Sequence, residues 1–227
     1  RIRFLLRRGT SAVYERLLLC FSTRLFPDAV AALAPTKIWR THASERSAMQ
    51  LTLVRPAGLC FHPAELGGRT GLPEDDRMRA VPPKRAEGVG IRPISRDSES
   101  IERIGRLYFR SYPDGEIGTC EEAVADVEAA SAGEYGAWVP DACLVAEEGG
   151  EPVGAILVTD NPPWDDVEGL TFIVDLFVAP DKRGRGIGYV LVGAALAAVG
   201  GREVGLRVES ENAAARKIYE GHGFAVR

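Results

Sequence analysis

The chain has 227 residues, 45% of them hydrophobic, which is ordinary for a globular protein and allows a sizeable core. Its net charge of −4 is divided unevenly: residues 1–90 hold 15 Lys and Arg against 8 Asp and Glu (net +7), whereas residues 91–227 hold 13 against 24 (net −11). The acidic part fits a cationic or amine substrate better than a nucleic acid, and no apolar run approaches the ~20 residues that a membrane-spanning helix needs.

Residues 1–89 are predicted to form a basic extension followed by a linker rich in Pro and Gly. Segments 4–8 and 14–21 could form a basic amphipathic helix, which would bind a membrane surface, act as a targeting segment, pack on the main domain or stay disordered. From residue 56 to residue 90, frequent Pro, Gly and charged residues favour a linker over a core. The chain starts at Arg1, so Met49 and Met78 are alternative starts.

From residue 90 onward, the hydrophobic pattern predicts alternating strands and helices. A strand over residues 91–94 precedes a helix capped by Asp97 or Ser98, and a second helix is capped by Thr119, with Glu122 three residues on. The remaining predicted elements are a hairpin of strands 142–147 and 152–159, a central strand 169–178, a helix 186–199, a strand 202–209 and a helix 212–221.

A glycine-rich loop joins the central strand to the helix that starts at Gly186. The first N–H groups of a helix have no partner within the helix, and they lie at the positive end of its dipole. Glycines remove the Cβ atoms that would keep a phosphate away. The loop is therefore predicted to bind a pyrophosphate through the backbone N–H groups of Arg183, Gly184, Arg185, Gly186, Ile187 and Gly188.

The loop, which reads Arg183-x-x-Gly186-x-Gly188, resembles the acyl-CoA signature of the GNAT superfamily of N-acetyltransferases. The family's second signature follows at the right distance, with the strand 204–209 and then Asn212, Ala215, Tyr219, Gly223 and Phe224. The resemblance covers about residues 90–227. It implies an α/β fold with a mixed central sheet and helices on both faces, so that residues 1–89 precede an acetyltransferase domain at 90–227.

One departure from the family concerns the end of the chain. The family continues after its Gly-Phe pair with one or two more strands, whereas this chain ends at Arg227. The fold is therefore predicted to lack its C-terminal strand or strands, which would expose the edge of the strand 202–209. Three alternatives would account for the missing neighbour of this strand. The sequence is truncated, another chain pairs with the strand, or the N-terminal segment does.

The resemblance implies acetyl-CoA as the acyl donor. Phe177 and Val178 would pair with its pantetheine arm as an added strand does. This pairing would lie in a gap between two splayed parallel strands. It would leave a backbone N–H to polarise the thioester carbonyl. Asn212 matches a pantetheine contact and is also a candidate helix N-cap. Arg183 would add positive charge beside the phosphates.

The same resemblance implies a direct transfer to an amine, with Tyr219 as the acid that protonates the leaving thiolate. Its alternative role is core packing. Many relatives place a Glu where this chain has Val174, so Asp175 is the nearest candidate base. Asp175 would act through water, anchor the amine or have only a structural role. The loop residues Pro162, Trp164, Asp165 and Asp166 would line the acceptor site or form an exposed turn.

The sequence gives weaker expectations about the surroundings of this site. His222 is predicted at a helix end in solvent.

The four cysteines form no pair or metal-like cluster and indicate reduced thiols in a cytoplasmic protein, and no metal is expected. The acceptor is a small-molecule or protein amine, nucleic acid is not expected as a partner, and a homodimer is left open. The alternative to an enzyme is a non-catalytic protein that binds acyl-CoA or another partner.

Overall fold

The structure, a computed structural model, describes residues 50–58, 86, 88–113 and 116–227, and the predicted amphipathic helix and most of the predicted linker lie outside these ranges. The described residues belong to one unit, Thr41–Arg227. Its elements are β1 (Gln50–Arg55), β2 (Gly90–Pro93), α1 (Ser98–Ser111), α2 (Cys120–Ala132), β3 (Ala137–Trp138), β4 (Leu144–Glu148), β5 (Glu151–Asp160), β6 (Thr171–Val178), α3 (Ile187–Val199), β7 (Val204–Glu209), α4 (Ala213–Gly221) and β8 (Ala225–Val226).

The first two helices begin where the sequence predicts. The Asp97 side chain accepts a hydrogen bond from the Ser100 N–H (2.9 Å) and caps α1. Thr119 and Glu122 form a reciprocal capping box at the start of α2. Because these caps satisfy N–H groups that the helix itself cannot, they fix both helix starts.

The strands form one mixed sheet in the order β2-β4-β5-β6-β7-β1-β8, with β3 beside β5. Within the described ranges, β6 and β7 are the parallel pair, and the other recorded pairings are antiparallel. The sheet and the predicted β-α-α-β-β-β-α-β-α order from residue 90 onward are therefore confirmed, with β3 and β8 as short additions.

The place beside β7 is filled from the N-terminal side of the chain. Strand β1 pairs antiparallel with β7, with Leu53 opposite Leu206, and on its other edge with the two-residue strand β8. Leu53 is only 1% exposed. Of the three alternatives for this place, the structure shows the N-terminal segment, so the exposed edge predicted for β7 is absent from the described sheet. The sheet thus extends into the stretch 1–89, which the sequence places before the domain.

Helices lie on both faces of the sheet. On β6, Phe177 contacts Tyr108 of α1, with ring centroids 5.1 Å apart. A methyl group added at Gly188 of α3 would meet the neighbouring residues Leu176 and Val178 instead. Because successive residues of a strand point to opposite faces, α1 and α3 lie on opposite sides of β6. Among the described helices, none has the length and apolar character needed to cross a membrane.

Candidate active site

The two parallel strands at the centre of the sheet separate along their length. Strands β6 and β7 are paired at three positions, from Thr171 opposite Val204 to Ile173 opposite Leu206. Strand β6 then continues to Val178 and β7 to Glu209 without further pairing between them. The edge of β6 that faces β7 is therefore open beyond Ile173, which is where an extended ligand could add as a strand.

A β-bulge lies where this separation begins. The pairing of β5 with β6 shifts by one residue between Leu157 and Val158, which leaves Val174 as the extra residue on β6. Val174 is buried and occupies the position where the resemblance would place a Glu. A bulge bends its strand and redirects the side chains that follow it. Here the next side chain is Asp175, which points toward α1.

The glycine-rich loop ends at the N-terminus of α3, close to the open part of β6. Gly184 and Gly186 have φ angles of +74° and +81°, a conformation that favours glycine. Gly186 is the N-cap of α3 and supplies no capping side chain. The Val190 N–H makes the first helical bond, to the Gly186 carbonyl (3.1 Å), so the N–H groups of Ile187, Gly188 and Tyr189 precede the helical ladder.

The cationic side chains of this loop are held by other parts of the protein. The Arg183 guanidinium donates to the carbonyls of Val178 (3.1 Å) and Ser111, which ties the loop to the ends of β6 and α1. Lys182 and Arg185 both bind Glu148 in the β4–β5 hairpin, at 2.8 Å and 2.6 Å. The loop is thus anchored at three points.

Asp175 is held by hydroxyl groups from α1. Its Oδ1 accepts hydrogen bonds from the Tyr112 hydroxyl (2.8 Å) and from the Leu176 N–H (2.7 Å). Tyr108, one helical turn before Tyr112, contributes a further hydrogen bond. Desolvation raises the pKa of Asp175 to about 6, although these donors oppose the rise. The carboxyl group is therefore largely ionised at neutral pH and remains basic enough to take a proton.

Tyr219 projects from α4 toward the same region. It is 6% exposed, and its ring packs on Phe224 with centroids 5.8 Å apart. Burial raises the pKa of Tyr219 above its ordinary value, and the charge of Asp175 raises it further. Within the described residues its hydroxyl makes no hydrogen bond, and that oxygen is not sealed from solvent. Tyr219 therefore carries a protonated hydroxyl group that is available to a ligand.

The structure places the other predicted cofactor contacts around the gap. Phe177 and Val178 lie on the open half of β6, with Phe177 packed on Tyr108. Asn212 is the N-cap of α4, and its Oδ1 accepts from the Ala215 N–H (3.1 Å). The Leu176 N–H is bound by Asp175, so this particular N–H has a partner before any thioester binds.

The loop between β5 and β6 contacts β7. The Arg207 guanidinium lies 5.1 Å from the centroid of the Trp164 ring and forms an ion pair with Asp166 (2.6 Å). Pro162 is buried, Trp164 is half-buried, and Asp165 is exposed. The loop is therefore an anchored wall beside the central strands.

His222 lies at the predicted helix end, as the C-cap of α4, but its predicted exposure to solvent is wrong. His222 is only 4% exposed, and its Nε2 is 2.9 Å from the Tyr189 carbonyl. Its own carbonyl accepts from the Arg55 Nε (3.1 Å). Burial lowers the pKa of His222 to about 4. The residue is enclosed because α3 and β1 pack over this helix end, and β1 lies 167 residues away in sequence.

The sequence interpretation missed several residues of this region. The sequence-based predictions give no functional role to Tyr108, Tyr112, Asp126, Glu148 or Arg207. The two tyrosines are four residues apart and so share one face of α1. That spacing was the available signal, but their partner Asp175 is 63 residues from Tyr112.

The loop and the gap fit a CoA thioester on geometric grounds. A Cβ atom added at Gly184 would meet nothing within 4 Å, so the outer side of the loop is open. The uncapped N-terminus of α3 offers N–H groups and a positive dipole to a phosphate. The open edge of β6 offers backbone groups to an amide-containing arm.

These features fit a class of protein, the acyltransferases that use a CoA thioester. The chain belongs to the acetyltransferase (GNAT) family, whose model matches residues 102–224, more than half of the chain. The resemblance seen in the two signatures is thereby confirmed. None of the curated proteins matches the chain at the sequence level.

Several solved structures are similar to the chain, and the first of those named here supports the fold. The structure of PH1933 from Pyrococcus horikoshii OT3 is 21% identical, with a TM-score of 0.52, and the match covers 60% of this chain and 88% of that one. A GCN5-related N-acetyltransferase from Sphaerobacter thermophilus is 21% identical (TM-score 0.49; 78% and 48% covered), so this chain spans about half of its length. AAC(6')-Iy, in complex with a CoA-based bisubstrate analogue, is 20% identical (TM-score 0.47; 60% and 90% covered).

Proposed function

We propose that the protein is an N-acetyltransferase that transfers an acetyl group from acetyl-CoA to a primary amine by direct attack in a ternary complex. The observation that carries this proposal is the pair formed by Asp175 and Tyr219 at the gap. Asp175 has a pKa of about 6, and Tyr219 stays protonated at neutral pH. One group is thus suited to accept a proton and the other to donate one.

Acetyl-CoA supplies an activated thioester to this site. The N–H groups of Ile187, Gly188 and Tyr189 would bind the pyrophosphate, together with the backbone of residues 183–186. Backbone groups of Phe177 and Val178 would pair with the pantetheine arm. Asn212 caps α4 and so fixes the helix that carries Tyr219.

An attacking amine must lose its proton, because alkyl ammonium groups have pKa values near ~10. Asp175 would anchor the ammonium group and take its proton, directly or through water. The amine nitrogen then forms a bond with the carbonyl carbon and loses its second proton to water, the carbon–sulfur bond breaks, and its electron pair leaves with the sulfur. Tyr219 would donate its proton to that sulfur, and solvent would restore both side chains.

The described cysteines give no support to a covalent intermediate. Cys143 is fully buried between strands, and its Sγ is 3.1 Å from both the N–H and the carbonyl of Val158. Burial raises the pKa of this thiol to about 12. Because a thiolate is the nucleophilic form, Cys143 is inert, and direct attack is the simpler route. Free thiols at Cys120 and Cys143 also agree with a cytoplasmic location.

A second candidate function is an acyl-CoA-binding protein without catalysis. It is favoured by Val174, an apolar residue where many relatives place the acidic one. The phosphate loop would serve both functions equally well. The two functions differ in whether Asp175 and Tyr219 act on a substrate.

The experiment is a calorimetric titration of the purified protein with acetyl-CoA, followed by a thiol-release assay on the same sample with a panel of amines. We expect micromolar binding and amine-dependent release of CoA. An Asp175→Asn variant should bind acetyl-CoA normally and release little CoA. Binding without turnover on any amine would support the non-catalytic function, and absence of binding would contradict both.

A further inference from the structure

Helix α1 ends just before Tyr112, the residue whose hydroxyl binds Asp175. Ser111 is the last helical residue, and Tyr112 has an extended backbone (φ −108°, ψ 153°). Pro113 follows, and a proline disfavours a helical conformation in the residue before it. The last carbonyls of a helix also have no partner within the helix. A contact from outside α1 is therefore needed to fix the backbone that carries Tyr112.

Arg183 supplies such a contact. Its guanidinium donates to the carbonyl of Ser111, a residue that is only 3% exposed. This carbonyl and the Tyr112 N–H belong to the same planar peptide group, so the bond restrains the backbone where Tyr112 begins. A positive charge at the C-terminal end of a helix is also favoured by the helix dipole. Arg183 thus stabilises the end of α1 from the phosphate loop.

The same guanidinium binds the strand that carries Asp175. Its Nε donates to the carbonyl of Val178 (3.1 Å), at the end of β6. Arg183 therefore bridges α1 and β6 beside the bond from the Tyr112 hydroxyl to Asp175 Oδ1 (2.8 Å). Because the N–H donors of a guanidinium group have a fixed planar arrangement, the bridge sets how far apart the two carbonyls lie.

Ionisable groups from two helices face Asp175 within the part of the chain that the structure describes. Tyr108 and Tyr112 of α1 donate hydrogen bonds that lower the pKa of Asp175. The charge of Asp175 in turn raises the pKa of Tyr219 of α4. Leu157 of β5, opposite Asp175 in the sheet, is apolar. Of these groups, Tyr112 lies at the end of α1, so a movement of this end would weaken its bond first.

We propose that Arg183 is a positioning residue, whose guanidinium joins the phosphate loop to the end of α1 and holds the Tyr112 hydroxyl against Asp175. This inference rests on the proposed function and goes beyond it, because the family resemblance implies only a charge beside the phosphates. Both carbonyls that Arg183 binds belong to the backbone, so it acts on Asp175 through Tyr112. Loss of the bridge would weaken the bond from Tyr112 and raise the pKa of Asp175.

The test follows the titration of Asp175 directly, by NMR of the carboxyl carbon in protein labelled with isotopic aspartate. The signal is assigned by its absence in Asp175→Asn. In Arg183→Gln the midpoint should rise by about 0.5 pH unit from the wild-type pKa of about 6, because the Tyr112 bond is weakened but not removed. Arg110→Gln removes another arginine bond at the same end of α1, to the Pro152 carbonyl, and should leave the midpoint unchanged.

A double variant tests whether Arg183 acts through Tyr112. Tyr112→Phe alone should raise the midpoint by about one pH unit. Adding Arg183→Gln should raise it no further, because the bond that Arg183 positions is already absent. Additive shifts would show that Arg183 reaches Asp175 by another route and would overturn the proposal. An unchanged midpoint in Arg183→Gln alone would overturn it as well.

A second variant, Arg183→Lys, guards against loss of the fold in Arg183→Gln. It keeps a positive charge in the loop but lacks the planar set of donors that binds two carbonyls at once. We expect the midpoint of Asp175 to rise as it does in the glutamine variant. A wild-type midpoint in Arg183→Lys would mean that the charge alone is sufficient, and it would contradict the bridge.

A rate measurement separates this inference from the proposed function. The ratio of kcat/KM in Arg183→Gln to that of the wild type should show about a two-fold deficit at pH 6 that disappears above about pH 8. The carboxyl titration needs no turnover. A shifted midpoint in a protein that acetylates no amine would support the role of Arg183 and reject the proposed function alone, whereas turnover with an unshifted midpoint would do the reverse.

Discussion

Removal of the Tyr112 hydroxyl should raise the pKa of Asp175 and move the acidic limb of the pH–rate profile upward. The hydroxyl donates to Asp175 Oδ1 over 2.8 Å and stabilises the ionised form. A hydrogen bond to a charged group contributes about 1.5–3 kcal/mol, and about 1.4 kcal/mol corresponds to one pKa unit. Because the Leu176 N–H and Tyr108 share this carboxylate, we take the lower end. The pKa, about 6 in the wild type, should then move to about 7 in Tyr112→Phe.

The assay measures kcat/KM for one amine from about pH 5 to pH 9 and reports the ratio of variant to wild type, in which the titration of the amine itself cancels. Since the base must be ionised, the ratio should be lowest in acid, with about a five-fold deficit at pH 6 and almost none above pH 8. Tyr189→Phe removes a half-buried hydroxyl from α3, on the other face of the sheet, and should give a flat ratio near one. A flat ratio for Tyr112→Phe would refute the assignment of Asp175 as the base.

Three further changes test other parts of the site. Gly186→Glu puts a side chain and a negative charge at a φ of +81° in the phosphate loop and should abolish acetyl-CoA binding in calorimetry. The same change at the exposed Gly169 (φ +78°) should leave this binding intact. Normal affinity in Gly186→Glu would remove the loop from the binding site. Tyr219→Phe should lower kcat about a hundred-fold with unchanged acetyl-CoA affinity, and an unchanged kcat would exclude it as the acid. His222 has a folded-state pKa of about 4, below the 6.5 of an unfolded chain, so stability should fall as the pH drops through this window. Urea unfolding should show that the free energy of unfolding is about 2 kcal/mol lower at about pH 5 than at pH 7. His222→Gln can still donate to the Tyr189 carbonyl and should not show this decrease. An equal decrease in the variant would contradict the neutral, buried histidine.

Local signals predicted most of the elements. Asp97 and Thr119 start their helices in the structure because N-capping depends on a few neighbouring residues. The glycine loop and the start of α3 are local in the same sense. The family signatures add the splayed strands, which the three-position pairing of β6 with β7 bears out.

Long-range pairing is what the sequence could not supply. Strand β1 joins β7 across about 150 residues, and its six residues stand next to a stretch whose composition indicates a linker. The bond between Tyr112 and Asp175 and the burial of His222 have the same origin, because each depends on elements that only the folded sheet brings together. Short-range patterns carry no register between such distant segments.

The central claim is that an acetyl group moves from the CoA thioester to an amine nitrogen. The most direct measurement follows isotopically labelled acetyl-CoA by NMR, with the protein and an accepted amine. The account predicts that the label appears as an amide on the acceptor and that Asp175→Asn slows its appearance. Label that stays in the thioester, or that is released as free acetate, would contradict the account.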